Sequence, residues 1–177
     1  LRASGMGGVL ADDMGLGKTL QTIAHLCIEH ARPDVVKPSL VVVPTSLIQN
    51  WKRELAKFAP HLVVSVWHGS ERHAGGDALE RADIIITSYS LLAREQERWA
   101  TRAYHYLILD EAQAIKNPRA AAREAARSLD AEHRLCLSGT PVENHLGDLW
   151  SLFDFLMPGL LGSASEFQVG YRAPIEN

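Results

Sequence analysis

A glycine-bearing octet near the start, Asp12-Asp13-Met14-Gly15-Leu16-Gly17-Lys18-Thr19, limits the folds open to this chain more than any other stretch. It follows the apolar run Gly8-Val9-Leu10-Ala11 and precedes a helical pattern, Leu20-Gln21-Thr22-Ile23-Ala24-His25-Leu26. Strand, glycine turn, Lys-Thr and helix in that order form the layout of a phosphate-binding loop. The glycines let backbone N–H groups close around phosphate oxygens with no Cβ in the way. A helix opening at Lys18 adds unpaired N–H groups and the positive end of its dipole. In such a loop Lys18 reaches the β- and γ-phosphates and the Thr19 hydroxyl holds Mg²⁺. The full pattern places glycine five residues before Gly17, where this chain has Asp12. Alone, the octet also reads as a glycine turn carrying a surface lysine.

The rest of the chain decides between these readings. Ser39–Val43 is a continuous apolar β run closed by Pro44, the mark of a strand covered on both faces. Ser46 with Gln49 reads as a capping box, opening a helix whose apolar face is Leu47, Ile48, Trp51, Leu55 and Phe58. Further strands are expected at 62–67, 82–87, 104–109 and 133–137, with a polar helical stretch ending at Trp99. Asn117-Pro118 reads as the start of an Ala/Arg helix ending near Leu129. Leu146, Leu149, Trp150, Phe153 and Leu156 form another helical face, stopped by Pro158-Gly159, and a short helix is expected through Phe167. Six apolar strands alternating with helices argue for an α/β fold, a mostly parallel sheet with helices on both faces. In such sheets ligands gather at the carboxyl ends of the strands. Asp12–Thr19, Thr45-Ser46, Thr87-Ser88, Asp110–Gln113 and Ser138–Thr140 all follow strands, so they are expected to share one edge.

Asp110-Glu111, after Tyr106-Leu107-Ile108-Leu109, is the second chemical element. An acidic pair at the end of a buried strand is costly unless the charge is used. Beside a phosphate loop, Asp110 can bind the Mg²⁺ held by Thr19 through water. Glu111 can orient and deprotonate the water that attacks the γ-phosphate.

Taken together, Asp12–Thr19, Pro44-Thr45-Ser46, Thr87-Ser88-Tyr89, Asp110–Gln113 with Ile115-Lys116-Asn117, and Ser138-Gly139-Thr140-Pro141 with Glu143-Asn144 resemble the first motor lobe of helicase superfamily two. Ala11–Thr22 and Leu137–Asn144 are similar to the Swi/Snf-type ATPases in particular, and the similarity runs through Leu160–Ser163 and Pro174-Ile175-Glu176. The resemblance implies a RecA-like P-loop lobe over residues 1–162, with 163–177 beginning the connection to a second lobe. It implies an ATP hydrolase that translocates on duplex DNA, with ATP and Mg²⁺ as cofactors and other proteins recruited by flanking domains. By position, Asp13, Met14, Gly15, Leu16, Gly17, Lys18 and Thr19 hold the nucleotide, and Asp110 shares the metal with Thr19. Lys18, Asp110 and Glu111 serve hydrolysis. Thr45, Ser46, Thr87 and Ser88 touch the DNA backbone through hydroxyls and N–H groups, contacts that carry no sequence information. Gln113, Ser138, Gly139 and Thr140 couple hydrolysis to movement between lobes. Gln113 stands where many relatives have His, and it can still donate and accept hydrogen bonds.

The family's adenine-reading glutamine is expected upstream and its second lobe, with arginine fingers, downstream. Such fingers are worth roughly 10³–10⁵ in rate, so this fragment is expected to bind Mg-nucleotide weakly and hydrolyse it very slowly. Two alternatives stay open: a strand-separating DNA or RNA helicase lobe, and a non-catalytic nucleotide- or DNA-binding module. A guanine-reading switch is disfavoured because no Asn-Lys-x-Asp sequence occurs.

Composition adds bounds. A net charge of −3 gives no global attraction for nucleic acid, so any DNA contact must be local. Cys27 and Cys136 sit in apolar segments and read as reduced core residues, which points to a cytosolic, nucleoid or nuclear setting. No apolar run approaches the ~20 residues of a membrane span. Arg119, Arg123 and Arg127 recur every four residues and read as a solvated basic face, as do Lys52, Arg53 and Lys57. Trp51, Trp67, Trp99 and Trp150 read as packing residues, and His68 and His73 lack the partners of a zinc site.

Overall fold

The strand runs that alternate β-branched and leucine side chains have no polar face, and they fold accordingly into a sheet covered on both sides. The computed structural model describes residues 6–13, 15–69, 77–115, 121–139 and 146–176. Its elements are β1 (Gly8–Leu10), α1 (Lys18–His30), β2 (Ser39–Val43), α2 (Ile48–Phe58), β3 (Val64–Trp67), α3 (Asp77–Glu80), β4 (Ile84–Ser88), α4 (Tyr89–Arg94), α5 (Gln96–Ala100), β5 (Tyr104–Asp110), α6 (Ala121–Ser128), β6 (Ala131–Leu137), α7 (Leu146–Leu156), α8 (Ala164–Phe167) and α9 (Ala173–Glu176). Tight turns at Thr45–Leu47 and Ala112–Ile115 lead out of β2 and β5, and a π-helical turn at Gln168–Arg172 joins α8 to α9. Among the described residues no helix is long and apolar enough to cross a membrane.

The six strands are all parallel, in the order β1-β6-β5-β2-β4-β3. Period-two alternation splits the core into two layers. Val41, Val43, Ile84, Ile86, Ile108, Leu135 and Leu137 face Ile23 and Leu26 of α1 and Ile48, Trp51 and Leu55 of α2. Leu40, Val42, Ile85, Leu107, Leu109 and Cys136 face Leu91, Trp99, Ala125, Leu152 and Phe155 on the opposite side. Each fully buried Leu, Ile or Val contributes about 1.5–3 kcal/mol over exposure, so the central strands are strongly held in register.

That register aligns the carboxyl ends. Leu10 pairs with Leu137, and Leu137 with Asp110. Val42 pairs with Leu109, Val43 with Ser88, and Trp67 with Thr87. Every segment that leaves a strand toward the functional residues therefore leaves from the same edge.

Four expectations change. β5 runs one residue further than its apolar run, so Asp110 is part of the strand and buried. Ser46 is no helix cap: Pro44 ends β2 extended, the chain tightens at once through Thr45–Leu47, and α2 begins at Ile48 without a side-chain cap. Phe58, at the last position of α2, is largely exposed, with Lys57 over its ring. Arg123 is buried rather than solvated, ion-paired with Asp154 of α7 and lying 4.7 Å over the Trp150 ring. Arg127 joins the same carboxylate at 3.2 Å, so this basic face of α6 packs on α7. Lys52, Arg53 and Lys57 are exposed as expected, and all four tryptophans are buried. Asn117-Pro118, Arg119 and His73 lie outside the described residues.

Candidate nucleotide site

The loop after β1 is built by its glycines. Gly15 and Gly17 have φ of 84° and 76°, in the left-handed region. Gly17 caps α1 with no side-chain hydrogen bond, which leaves the first-turn N–H groups of the helix open to an anion. Gln21 fastens the loop from inside the helix, its Nε2 donating to Asp12 Oδ2 at 3.0 Å and to the Leu16 carbonyl at 3.2 Å. Lys18 is buried, and its Nζ donates to the carbonyls of Asp12 at 2.7 Å and Asp13 at 3.1 Å. These are neutral acceptors, and a phosphate oxygen would offer the ammonium a stronger, charge-assisted partner at the same place. Thr19 is half-buried beside it. Met14 lies outside the described residues.

Among the described residues Asp110 is the most enclosed carboxylate of the edge, with 5% of its surface exposed. Its Oδ2 accepts from Trp51 Nε1 at 2.7 Å and its Oδ1 from the Glu111 N–H at 2.9 Å. Burial pushes its pKa up. The Trp51 and Glu111 N–H bonds pull it back down, the charge of Glu111 raises it and that of Lys18 lowers it. The Tyr89 hydroxyl donates to the Asp110 carbonyl at 2.7 Å. Burial raises the pKa of that phenol well above its ordinary value, so it stays a donor.

Glu111 has φ 52°, the one positive φ at a non-glycine among the described residues. The left-handed region costs an L-residue about 1–2 kcal/mol, and here it turns the chain sharply out of β5. The Glu111 carboxylate accepts from Gln113 Nε2 at 2.6 Å, and Gln113 Oε1 in turn accepts from the Ser138 hydroxyl at 3.4 Å. Ser138 is fully buried at the end of β6, and its N–H donates to the Leu10 carbonyl of β1 at 3.2 Å. A continuous polar chain thus runs from Glu111 through Gln113 and Ser138 to the strand that carries the phosphate-type loop. Gly139 follows on the same edge, and Thr140 lies outside the described residues.

The four Thr and Ser residues expected at a DNA surface divide into two pairs. Thr45 and Ser46 are exposed. Thr87 and Ser88 are buried: the Thr87 hydroxyl donates to the Trp67 carbonyl at 3.2 Å, and Ser88 Oγ accepts from the Leu91 N–H at 3.4 Å, capping α4. Consecutive strand residues point to opposite faces, and both faces of β4 are covered by a core layer, so both side chains are buried.

Trp51, read from the sequence as packing, and Tyr89, given no role of its own there, prove to hold Asp110. A tryptophan at the buried face of a helix signals packing, and only the strand order reveals that its N–H meets a carboxylate 59 positions away. At the other edge of the sheet His105, Glu132 and His133 each bring one ligand-type atom within 4.8 Å of the others. Both ring nitrogens of His105 are already engaged there, by Glu29 and Glu132 at 2.8 Å each, so the group stands as a hydrogen-bonded cluster.

Comparison with known proteins agrees with this geometry. The model of a family described as SNF2-related domain matches residues 1–177. A SWI2/SNF2 ATPase core of Sulfolobus solfataricus, solved in complex with double-stranded DNA, superposes with a TM-score of 0.89 at 46% identity, covering 99% of this chain and 36% of that one. The Bacillus subtilis protein YwqA is 45% identical over 179 residues, 99% of this chain and 19% of its own length. The TATA-binding protein-associated factor mot1 of Aspergillus fumigatus is 45% identical over 181 residues, 95% of this chain and 10% of its length. The chain thus spans between a tenth and a fifth of these two curated relatives.

Proposed function

The chain belongs to the SNF2-related domain family, and from that premise we propose that it is the nucleotide-binding first lobe of an ATPase that translocates on duplex DNA. The fold is the RecA-like lobe of the SWI2/SNF2 ATPase core. The observation that carries the reading is the meeting, on one strand edge, of an anion-ready loop with Lys18, a buried Asp110 and a Glu111 aimed by its own backbone turn.

In this reading residues 13–19 and the first turn of α1 hold the phosphates of ATP, and Lys18 exchanges its two loop carbonyls for β- and γ-phosphate oxygens. A hydroxyl and a carboxylate, from Thr19 and Asp110, form a hard-oxygen donor set that suits Mg²⁺. An ion held there would supply positive charge to offset that developing on the transferred phosphoryl group. Glu111 accepts a proton from the attacking water, and the Gln113 N–H holds its carboxylate in one orientation. Because Gln113 also meets Ser138, a change at the γ-phosphate side reaches the end of β6, and we assign Gln113 and Ser138 to coupling on that basis, with Gly139 and Thr140 assigned by the family resemblance alone. Thr45 and Ser46 present exposed hydroxyls for a DNA backbone. Thr87 and Ser88 act there through the shape of the turn they hold.

The decisive experiment is steady-state ATP hydrolysis by the complete two-lobed protein without nucleic acid and with duplex DNA, single-stranded DNA or duplex RNA, with Glu111→Gln as control. Stimulation by duplex DNA that vanishes in Glu111→Gln is expected. Stimulation by single strands or RNA alone would favour strand separation, and no hydrolysis under any condition would leave a binding module. The isolated chain is expected to turn over more slowly than one ATP per second, about the low end for kinases.

A further inference from the structure

We propose that Trp51 and Tyr89 are positioning residues that clamp Asp110 from two sides, tying the metal-binding carboxylate to the two helices that begin on the proposed DNA-facing surface. The inference rests on the nucleotide reading above and goes beyond it.

A buried indole N–H needs an acceptor and a half-buried phenol gains from one, and many acceptors would serve. Here both choose the same residue. Trp51 Nε1 donates to Oδ2 of Asp110 and the Tyr89 hydroxyl to its carbonyl oxygen, each at 2.7 Å. The Glu111 N–H takes Oδ1 at 2.9 Å, so one donor fixes each carboxylate oxygen and the group cannot rotate without breaking a bond. An ionised carboxylate has about four lone-pair sites. Two are spent on holding it still, and two remain for water molecules bound to a metal.

The two clamping side chains come from elements that matter for a second reason. Trp51 lies one turn into α2, directly after the exposed Thr45–Leu47 turn. Tyr89 opens α4 directly after Ser88. A shift of either helix start moves a hydrogen-bond donor on Asp110, so the contacts form a physical route between that surface and the metal-binding group.

The test uses the complete two-lobed protein, a non-hydrolysable ATP analogue, and calorimetric affinities measured with Mg²⁺ and with chelator. Trp51→Phe keeps an aromatic ring but loses volume along with the donor; circular dichroism and the melting temperature report folding. Expected is an unchanged affinity without metal and a loss of about tenfold in the enhancement that Mg²⁺ gives, the low end for removing an outer partner of a metal ligand. Tyr89→Phe, which deletes a single oxygen, should move the same ratio in the same direction by a smaller factor, and it carries the test if Trp51→Phe fails to fold. In an Asp110→Asn background Trp51→Phe should change the ratio no further. A Mg²⁺ enhancement retained in both Trp51→Phe and Tyr89→Phe overturns the clamp while leaving the nucleotide reading intact. No Mg²⁺ enhancement in the unaltered complete protein overturns the nucleotide reading, and the clamp with it.

Discussion

Asp154→Ala tests the packing of α6 on α7. Arg123 and Asp154 are exposed by 5% and 6%, so their charges have lost most of their water. Removing one partner of a buried pair costs roughly 3–5 kcal/mol, because the other charge stays buried without compensation. Two features soften the loss here. Glu124 bonds Arg123 at 3.1 Å from a half-exposed position, and the Trp150 ring lies under the guanidinium at 4.7 Å. Each is worth up to about 1 kcal/mol. The lower part of the range, about 3 kcal/mol, is therefore expected, with a fall in melting temperature of about 6–12 °C for a chain of this size. Arg127→Ala removes a side chain that is 45% exposed and should cost less than about 1 kcal/mol. The double variant Arg123→Met with Asp154→Leu removes both charges and should recover most of the loss. Urea unfolding of the four proteins decides. An Asp154→Ala variant within about 0.5 kcal/mol of the parent, or an Arg127→Ala variant as unstable as Asp154→Ala, would refute the reasoning.

Gly17→Ala should destabilise the chain by about 1–2 kcal/mol through its φ of 76°, not through crowding, since no atom lies within 4 Å of the added carbon; urea unfolding measures the loss, and calorimetry should show weaker Mg-nucleotide binding. Gln113→Ala leaves nucleotide affinity unchanged in the complete protein but lowers DNA-stimulated turnover by roughly tenfold, the effect of losing a hydrogen bond to a charged group worth ~1.5 kcal/mol. A kcat equal to the parent's would remove Gln113 from the coupling route. Acidification should destabilise the chain. Burial holds the pKa values of His25 and His30 below 6.5, so the unfolded chain binds protons that the folded one refuses and stability falls as pH drops through that value. Urea midpoints at pH 7.5 and 5.5 measure the slope, and the pair His25→Gln with His30→Gln should flatten it.

The sheet was legible because its signal is local. Val41 to Val43 and Ile84 to Ile86 can only be strands covered on both sides, and a glycine loop with Lys-Thr follows the first strand. Once the strands are parallel, the shared edge follows from geometry. The missed features depend on partners far away in sequence. Arginines at i and i+4 look the same on a wet helix face and on a packed one, and only Asp154, 31 positions after Arg123, separates the two cases. The capping box at Ser46 failed for a local reason: Pro44 lets the chain tighten one residue early, so Ser46 falls inside a turn rather than before a helix. Thr87 and Ser88 were legible as strand-end residues but not as buried ones, since burial there depends on both faces of β4 being covered by helices distant in sequence.

The strand order also divides the functional edge. β1, β6 and β5 are adjacent, and they carry the glycine loop, Ser138 and Asp110-Glu111. β2, β4 and β3 form the other half, and they lead into Thr45-Ser46, Ser88-Tyr89 and His68. Groups suited to phosphate and metal lie on one side, and the proposed DNA-facing turns on the other. β5 and β2 are the neighbours at the boundary, so Asp110 is the carboxylate closest to the junction. This explains why donors from the second half, Trp51 after β2 and Tyr89 after β4, can reach a residue of the first half at 2.7 Å. In the sheet as ordered, a signal between the halves has its shortest path across β5 and β2. The alternative path runs through Glu111, Gln113 and Ser138 within the first half and links nucleotide chemistry to β6 and β1 instead. The two networks therefore leave the Asp110-Glu111 pair in opposite directions. Substitutions on one side should change the metal dependence of nucleotide binding, and those on the other the turnover of bound nucleotide.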